Sequence, residues 1–304
     1  MAVARRRQRV LVNRLKRQGL RRSPLVEAAF RAVPRHLFLP DVPLETVYRD
    51  EAIITKVQDG RGISSSSQPA IMAIMLEQLD LAPGLRVLEI GAGTGFNAAL
   101  VAHIVGPTGH VVTVDIDDDI VVGAREHLAA AGFPEVEVVC GDGGLGYAPS
   151  APYDRIILTV GAWDVPPAWW EQLKPGGRLV LPLSLRGVQL CVAFDDIDGR
   201  LVSASVHGCG FIPLRGAFGG HPIRVRLPGD PNRILVLEDQ RVLAEQASIF
   251  VAGPTHDRGF TGGTLSAGYG HPSPRRAGRW VHRIAASGDG AAPVALGPRA
   301  PQRS

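Results

Sequence analysis

Three glycines at alternate positions, Gly91, Gly93 and Gly95, follow the apolar run Val87-Leu-Glu-Ile90 and precede an Ala/Leu-rich segment that reaches Leu100. Strand, glycine turn and helix in that order bring backbone N–H groups and a helix N-terminus up to a ligand. Glycine takes positive φ and lets the backbone approach a ligand closely. The spacing is G-x-G-x-G, whereas the dinucleotide pattern is G-x-G-x-x-G, so a dinucleotide oxidoreductase is a weak reading. A glycine trio alone is as often a plain turn, and the residues that follow it decide.

Two carboxylates follow at strand ends. The run His110-Val-Val-Thr-Val-Asp115 places Asp115 where α/β nucleotide sites carry an acid, able to accept from both hydroxyls of a ribose. Asp142, between Gly141 and Gly143, ends the next apolar run. It is either the acceptor for an exocyclic amine of adenine or a turn aspartate. Trp163, beyond a fourth run, either walls a substrate pocket or packs under the next helix. No Ser/His/Asp constellation is recognisable. Cys140, Cys191 and Cys209 are far apart with no C-x-x-C pair, which argues against a disulfide framework or zinc site and fits a reducing cytoplasm. His256, His271 and His282 lack metal-ligand spacing.

The elements that must position these groups follow from pattern and punctuation. Residues 1–35 read as helical, broken near Pro24 and before Pro34. Residues 33–40 and Tyr48-Arg-Asp50 read as an ordered loop lying on the domain. Gly60 to Pro69 reads as a polar loop, with Pro69 in the first turn of a helix that Ser67 or Gln68 caps. That helix, residues 70–79, is apolar almost all round and should be buried, with Met72 and Met75 as core filler. Strands at 87–90, 110–115, 136–140, 153–160 and about 178–183 alternate with helices, the one at 120–131 closed by Gly132. A helix end and a tight Lys-Pro-Gly-Gly turn precede the fifth. Asp117, Asp118 and Asp119 suit a helix N-terminus. Runs at 188–194 and 201–209 flank an acidic turn and form an antiparallel edge. The expected fold is therefore α/β, a doubly wound, Rossmann-like, mostly parallel sheet. Residues 234–237 and 242–251 give one more strand and helix. From 254 to 304 the Gly/Pro/Ala/Arg-rich sequence reads as a mobile tail. The expected division is a basic helical segment 1–35, a catalytic domain 36–213, an extension 214–253 and the tail.

The net charge of +4 is unevenly placed. Arg5, Arg6, Arg7, Arg9, Arg14, Lys16, Arg17, Arg21 and Arg22 all precede the first acid, Glu27. Such an arm suits nucleic acid or an acidic partner. The blander reading, a solvated helix with a loose stripe of Val10, Leu11, Leu15 and Leu20, is preferred. No apolar run approaches the roughly 18 to 20 residues of a membrane span, and no signal peptide opens the chain.

The glycine strand, Asp115, Gly141-Asp142-Gly143 and Leu173-Lys-Pro-Gly-Gly177 together resemble a class I S-adenosylmethionine (SAM) dependent methyltransferase. The N-terminal half narrows the match. Val33-Pro-Arg-His-Leu-Phe-Leu-Pro40, Tyr48-Arg-Asp50, Ser67-Gln-Pro69, Pro152-Tyr-Asp-Arg-Ile-Ile157 and the run from Gln172 to Pro182 resemble the protein-L-isoaspartate O-methyltransferase family over about residues 24–213. The resemblance implies that Gly91, Gly93 and Gly95 hold the methionine end of SAM and that Glu89 supports their loop. It places Asp115 on the ribose, Asp142 and Gly143 on the adenine side, and Ser67 against the acceptor carboxylate. Where the family pattern has Thr or Ser and then Ile before that serine, this chain has Ser65 and Ser66, which leaves the register within Ser64–Ser67 open. A serine run before Gln-Pro, with a C-terminal extension, also resembles relatives that methylate aspartate in ribosomally made, modified peptides.

The implied reaction moves a methyl group from SAM to a carboxylate. A group with pKa near 4 is ionised at neutral pH and needs no strong general base. Catalysis would then rest on alignment, with about 3 Å between reacting atoms and Ser67 as a positioning residue. The expectation is a cytoplasmic, monomeric carboxyl methyltransferase acting on isoaspartyl protein, with no metal, membrane or nucleic-acid partner. The rivals are the peptide-tailoring enzyme and a non-catalytic SAM- or nucleic-acid-binding module.

Overall fold

The computed structural model describes residues 2–18, 23–185 and 187–220. Beyond them it describes only the backbone of four short strands, Ile223–Arg226, Ile234–Leu237, Phe250–Val251 and Arg283–Ile284. The centre is a seven-stranded sheet. Its strands are β3 (Arg86–Ile90), β4 (His110–Asp115), β5 (Glu137–Cys140), β6 (Tyr153–Leu158), β7 (Leu173–Leu185), β8 (Val188–Asp196) and β9 (Leu201–Gly208). The order is β5-β4-β3-β6-β7-β8-β9. The first five in that order are parallel, while β7/β8 and β8/β9 are antiparallel, as expected for the edge.

The runs that form the central strands are apolar at consecutive positions because both faces of the sheet are covered. Val87, Val111, Ile157 and Val180 point into one core, and Leu88, Val112, Ile156 and Leu179 into the other. The first face carries the helices α4 (Pro69–Leu79), α5 (Phe96–Val105) and α6 (Asp118–Ala131). The second is covered more thinly, by α7 (Pro167–Glu171), short 3-10 turns and the returning residues Leu214 and Phe218. Met72 and Met75 are core residues, as expected. Gly132, at φ 88, closes α6.

The N-terminal segment is not an appendage. Helices α1 (Ala2–Arg17) and α2 (Pro24–Ala32) bury Leu11, Val12, Leu15, Val26 and Phe30 in the same core as α5 and α6, and the short α3 (Leu44–Val47) adds Val47. The expected boundary at residue 35 is therefore not a packing boundary. Gln8, itself buried, donates to the carbonyls of Phe30 (2.9 Å) and Val33 (2.8 Å) and so ties α1 to the C-terminal end of α2. Phe30 and Phe38 pack on Phe96 at ring-centroid distances of 6.2 and 5.4 Å, against the start of α5. The cations of α1 occupy its outer side, which fits the solvated-helix reading; Leu20, Arg21 and Arg22 lie outside the described residues.

Three further expectations change. The polar loop at 60–69 is largely a β-hairpin, β1 (Ile53–Gln58) with β2 (Arg61–Ser66), turning at Asp59-Gly60. Neither Ser67 nor Gln68 caps α4 with its side chain; Asp50 does so from a distance, accepting from Ala70 N–H at 2.9 Å. The Pro-Gly-Gly turn does not precede a separate strand but is bulged within β7, where the ladder jumps from Tyr153/Leu173 to Arg155/Arg178. Residues 223–226 and 234–237 form an antiparallel hairpin, β10 and β11, so the expected strand at 234–237 is present. The expected helix at 242–251 falls outside the described residues except for 250–251, which is strand, and most of the tail lies outside them too.

Leu15 is fully buried. Leu15→Ala is expected to lower the stability of the whole domain by roughly 2–5 kcal/mol, read as an earlier single urea transition. A separable arm would leave that transition in place.

Candidate active site

The chain leaves β3 for β4 and β5 on one side and returns to β6 on the other, so the crevice at the carboxyl ends of these strands is a topological switch point. A cleft opens there. Its floor is Ile90, Gly91 and Gly93 after β3, Val114, Asp115 and Ile116 at the end of β4, Gly143 after β5, and Thr159 and Val160 after β6. Ile63, Ser64 and Ser65 of the β1–β2 hairpin form one wall, and Ile212, Pro213, Leu214 and Arg215 form another.

Gly91 and Gly93 are glycine for separate reasons. Gly91 has φ 102, and a Cβ there would stand 2.7 Å from the Thr159 hydroxyl oxygen. Gly93 has φ 51 and lies against the Ser65 carbonyl, 3.3 Å from where its Cβ would be. Gly95 is the N-cap of α5 at φ 84; a Cβ there would meet Leu128 and the Ala124 carbonyl of α6, and it is absent from the cleft lining.

The acids have different surroundings. Asp115 lines the cleft, and Gly93 N–H (3.0 Å) and Ile116 N–H (2.9 Å) donate to its two oxygens. Burial raises its pKa, and these backbone donors oppose the rise. Glu89 is fully buried and outside the cleft lining. It accepts from Asn97 Nδ2 (2.7 Å) and from the Thr113 hydroxyl (2.6 Å), tying β3 to β4 and α5 under the glycine loop. Burial pushes its carboxyl up to about 7 against those two donors. Asp142 does not line the cleft; Gly144 N–H (2.9 Å) and Ala217 N–H (2.7 Å) donate to its oxygens. It performs the turn-aspartate role and also anchors the returning chain. Gly143 does line the cleft, and its carbonyl accepts from the buried Trp169 indole at 2.8 Å. Trp163 is packed against Gly220 and is absent from the lining.

The serine run lies on the hairpin and just after it. Ser64 and Ser65 line the cleft, Ser66 is buried, and Ser67 follows β2 in a half-buried position outside the lining. The whole turn is held from beneath by Arg35, which is 1% exposed. Its guanidinium donates to the carbonyls of Val47 (3.0 Å), Ser66 (3.4 Å) and Ser67 (3.0 Å). Burial lowers its pKa to about 10, and Asp50 opposes that. The Ser67 hydroxyl makes no hydrogen bond among the described residues, so it has a proton to offer.

Several of these positions escape pattern reasoning. Thr159 follows a strand as an ordinary polar residue, yet its hydroxyl donates to Gly91 O at 2.6 Å and fixes the glycine loop. Residues 212–215 belong to a stretch of weak periodicity. They arrive because Gly161 exchanges backbone hydrogen bonds with Ile212 and Leu214, both 2.8 Å. The only signal in the sequence is Phe211-Ile-Pro-Leu, apolar residues around a proline.

The family described as protein-L-isoaspartate(D-aspartate) O-methyltransferase matches residues 6–218 of this chain. The protein-L-isoaspartate O-methyltransferase of Hyperthermus butylicus is 42% identical over 220 residues, covering 69% of this chain and 89% of that one. The Methanopyrus kandleri protein of the same name is 44% identical over 219 residues, covering 71% and 95%. A solved protein-L-isoaspartate O-methyltransferase superposes with a TM-score of 0.64 at 38% identity, over 70% of this chain and 67% of that one. A Plasmodium falciparum beta-aspartate methyltransferase solved with S-adenosyl-L-homocysteine shares the fold, with a TM-score of 0.59 at 18% identity over 68% and 97%.

Glu89 gives the site a pH signature. The folded chain holds its proton more tightly than the unfolded chain, so this residue lowers stability progressively from about pH 4.5 to about pH 7 and by a constant amount above. The full effect is on the order of 3 kcal/mol. Glu89→Gln is expected to flatten that slope and to gain most above pH 7, in denaturant titrations at pH 5 and 8. Asp115, also raised, leaves a smaller slope of the same sense.

Proposed function

Because the chain belongs to the protein-L-isoaspartate O-methyltransferase family, we infer that it is a SAM-dependent enzyme transferring a methyl group to the carboxylate of L-isoaspartyl residues in proteins. The observation that carries the site assignment is the switch-point cleft itself, where backbone N–H groups of a glycine loop and one carboxylate, Asp115, converge.

The residues fit the cofactor. Backbone without side chains lines the cleft at Gly91 and Gly93, where a ligand can approach the chain, and Asp115 presents acceptor oxygens from a floor otherwise apolar at Ile90, Val114 and Ile116. Gly91, Gly93 and Gly95 would hold the methionine portion, Asp115 the ribose and Gly143 the adenine side. Glu89 and Asp142 would act through the loops they brace, Glu89 beneath the glycines and Asp142 behind Gly143. When bound, SAM supplies an electrophilic methyl group on a sulfonium sulfur.

The protein's own part is orientation. Asp115 and Arg215 are the titratable side chains lining the cleft among the described residues, and no histidine or lysine lines it. A general base is therefore missing where the reaction does not require one, since the acceptor carboxylate is already ionised. Ser67 would donate a hydrogen bond to that carboxylate from a turn whose carbonyls Arg35 immobilises, and Ser65, in the wall itself, is the alternative donor. The neighbouring backbone amide nitrogen then attacks the ester carbonyl of the product, methoxide leaves with the amide proton as methanol, and a succinimide closes, the repair step. The unpaired Cys140, Cys191 and Cys209 agree with a reducing cytoplasm. No helix among the described residues is long and apolar enough to cross a membrane.

A second acceptor is favoured by two features of this chain. Ser66 stands where the family pattern has Ile, and the sequence continues beyond the family match at residue 218. Both resemble the enzymes that modify ribosomally made peptides, for which the acceptor is an ordinary aspartate in one dedicated partner.

Transfer of labelled methyl from SAM to paired peptides, one with L-isoaspartate and one with aspartate, separates the readings. Labelling of the isoaspartyl peptide alone is expected. Silence on both with SAM bound transfers support to the dedicated partner, and silence without SAM binding overturns the methyltransferase reading. Asp115→Ala is expected to weaken SAM binding by one to two orders of magnitude, about 1.4 kcal/mol per tenfold, in a calorimetric titration. Ser67→Ala is expected to spare that affinity and lower turnover; if Ser65→Ala alone does so, the acceptor donor is Ser65.

A further inference from the structure

The two walls of the cleft and its floor meet at one carboxylate at its rim. Asp117, immediately after the β4 tip, receives Arg215 in a bidentate pair, Nη1 to Oδ1 at 3.1 Å and Nη2 to Oδ2 at 2.8 Å. Lys56 of β1 reaches the same Oδ2 at 2.9 Å and also Asp119 Oδ1 at 2.6 Å. Each partner is contiguous with cleft lining. Arg215 follows Leu214, Asp117 follows Ile116, and Lys56 stands directly opposite Ser64 in the hairpin register. Asp117 begins α6 without capping it, since its side chain makes no cap hydrogen bond. Its oxygens are committed to the two cations instead.

The hairpin needs such a fastening. It is a two-stranded sheet of its own, with no ladder to the central sheet, and four of the six β1 residues are exposed. The strap, residues 211–217, is fixed at its start by the Gly161 hydrogen bonds and near its end by Asp142. Between them Arg215 crosses to Asp117.

We propose that Lys56, Asp117 and Arg215 form a clasp that holds the serine hairpin and the 211–217 strap closed over the cleft, so that both walls open together when it is released. They are positioning residues: they set the residence of the bound nucleoside and the placement of the serine wall. The proposal rests on the assignment of this cleft to SAM and adds what retains the ligand there. An exposed ion pair contributes little by itself, but a bidentate pair sharing one carboxylate with a second cation is a network, and half-exposed pairs weaken with salt.

The test is amide hydrogen exchange on the full chain without cofactor, for wild type, Lys56→Gln, Arg215→Gln and Lys56→Arg. Each glutamine variant is expected to raise exchange in both residues 53–66 and 211–217, and Lys56→Arg to restore the wild-type pattern. Wild type at high salt should behave like the glutamine variants. A rise confined to the segment carrying the substitution, or no effect of salt, overturns the clasp. A second measurement, release of S-adenosyl-L-homocysteine, is expected to quicken by about two- to tenfold in the glutamine variants and to lose its salt dependence. Wild type that binds no S-adenosyl-L-homocysteine overturns the cofactor assignment, while the exchange result still decides whether the two walls move together.

Discussion

A guanidinium buried without a carboxylate partner at ion-pair distance among the described residues is the constraint around which the N-terminal third is built. Arg35 sits under the hairpin end, over the Phe96 ring at 5.8 Å, with backbone carbonyls from two separated segments converging on it. A buried cation is tolerated only when polar atoms replace the water it has lost. Here the replacement comes from Val47 on one side and Ser66 and Ser67 on the other. The segments that supply carbonyls are thereby fixed relative to each other and to α5. The same loop contributes the Asp50 cap on α4 and the pairing of His36 Nδ1 with the Tyr48 hydroxyl at 2.7 Å. Three separate sequence motifs thus turn out to be one polar core. Its product is a serine turn with little freedom, which matters for a reaction whose rate depends on alignment.

Across the cleft the same economy of means holds the other partner. The glycine loop cannot be stabilised by side chains of its own, so the neighbours do it: Thr159 accepts the task at Gly91, Asp115 at Gly93, and Glu89 braces the strand beneath. Asp115 is raised by burial although three backbone N–H groups, of Gly93, Ile116 and Asp117, point at it, which means its solvation by the protein alone is incomplete. Ligand hydroxyls would complete it. Glu89 is more deeply desolvated and has only side-chain donors, which is why its carboxyl rises as far as about 7. The two acids therefore divide the work between facing a ligand and supporting the loop that faces it.

The sheet was legible because its strands are buried on both sides and so are written as unbroken apolar runs with glycine or acid at their ends. The glycine loop, Asp115 and the closing Gly132 followed from the same local rules. What was not legible is long-range. Gly60 to Ser67 is polar, as a loop would be, because the hairpin it forms lies on the surface and has nothing apolar to bury on its outer side. Asp142 between glycines carries the same signature whether it faces a ligand or a backbone, and only the return of Ala217 decides. The Arg215 and Asp117 pair is 98 residues apart, beyond any spacing rule. The charge of the basic helix is its conspicuous feature in the sequence, whereas what docks it is the quieter set Gln8, Leu11, Val12 and Leu15.

The distribution of these residues separates two requirements. The floor of the cleft is made mainly at the carboxyl ends of β3, β4 and β6, each held by ladders on both sides, and its polar groups are few. The walls are a hairpin and a strap that lie outside the central sheet. An acceptor embedded in a polypeptide needs walls that can admit a chain, while the nucleoside needs a floor that does not move. Changes in the serine run or in the strap can therefore alter which polypeptide is accepted without disturbing Asp115 or the glycine loop. Ser66, which stands where the pattern this chain resembles has Ile, belongs to the hairpin, while the floor holds Gly91, Gly93 and Asp115.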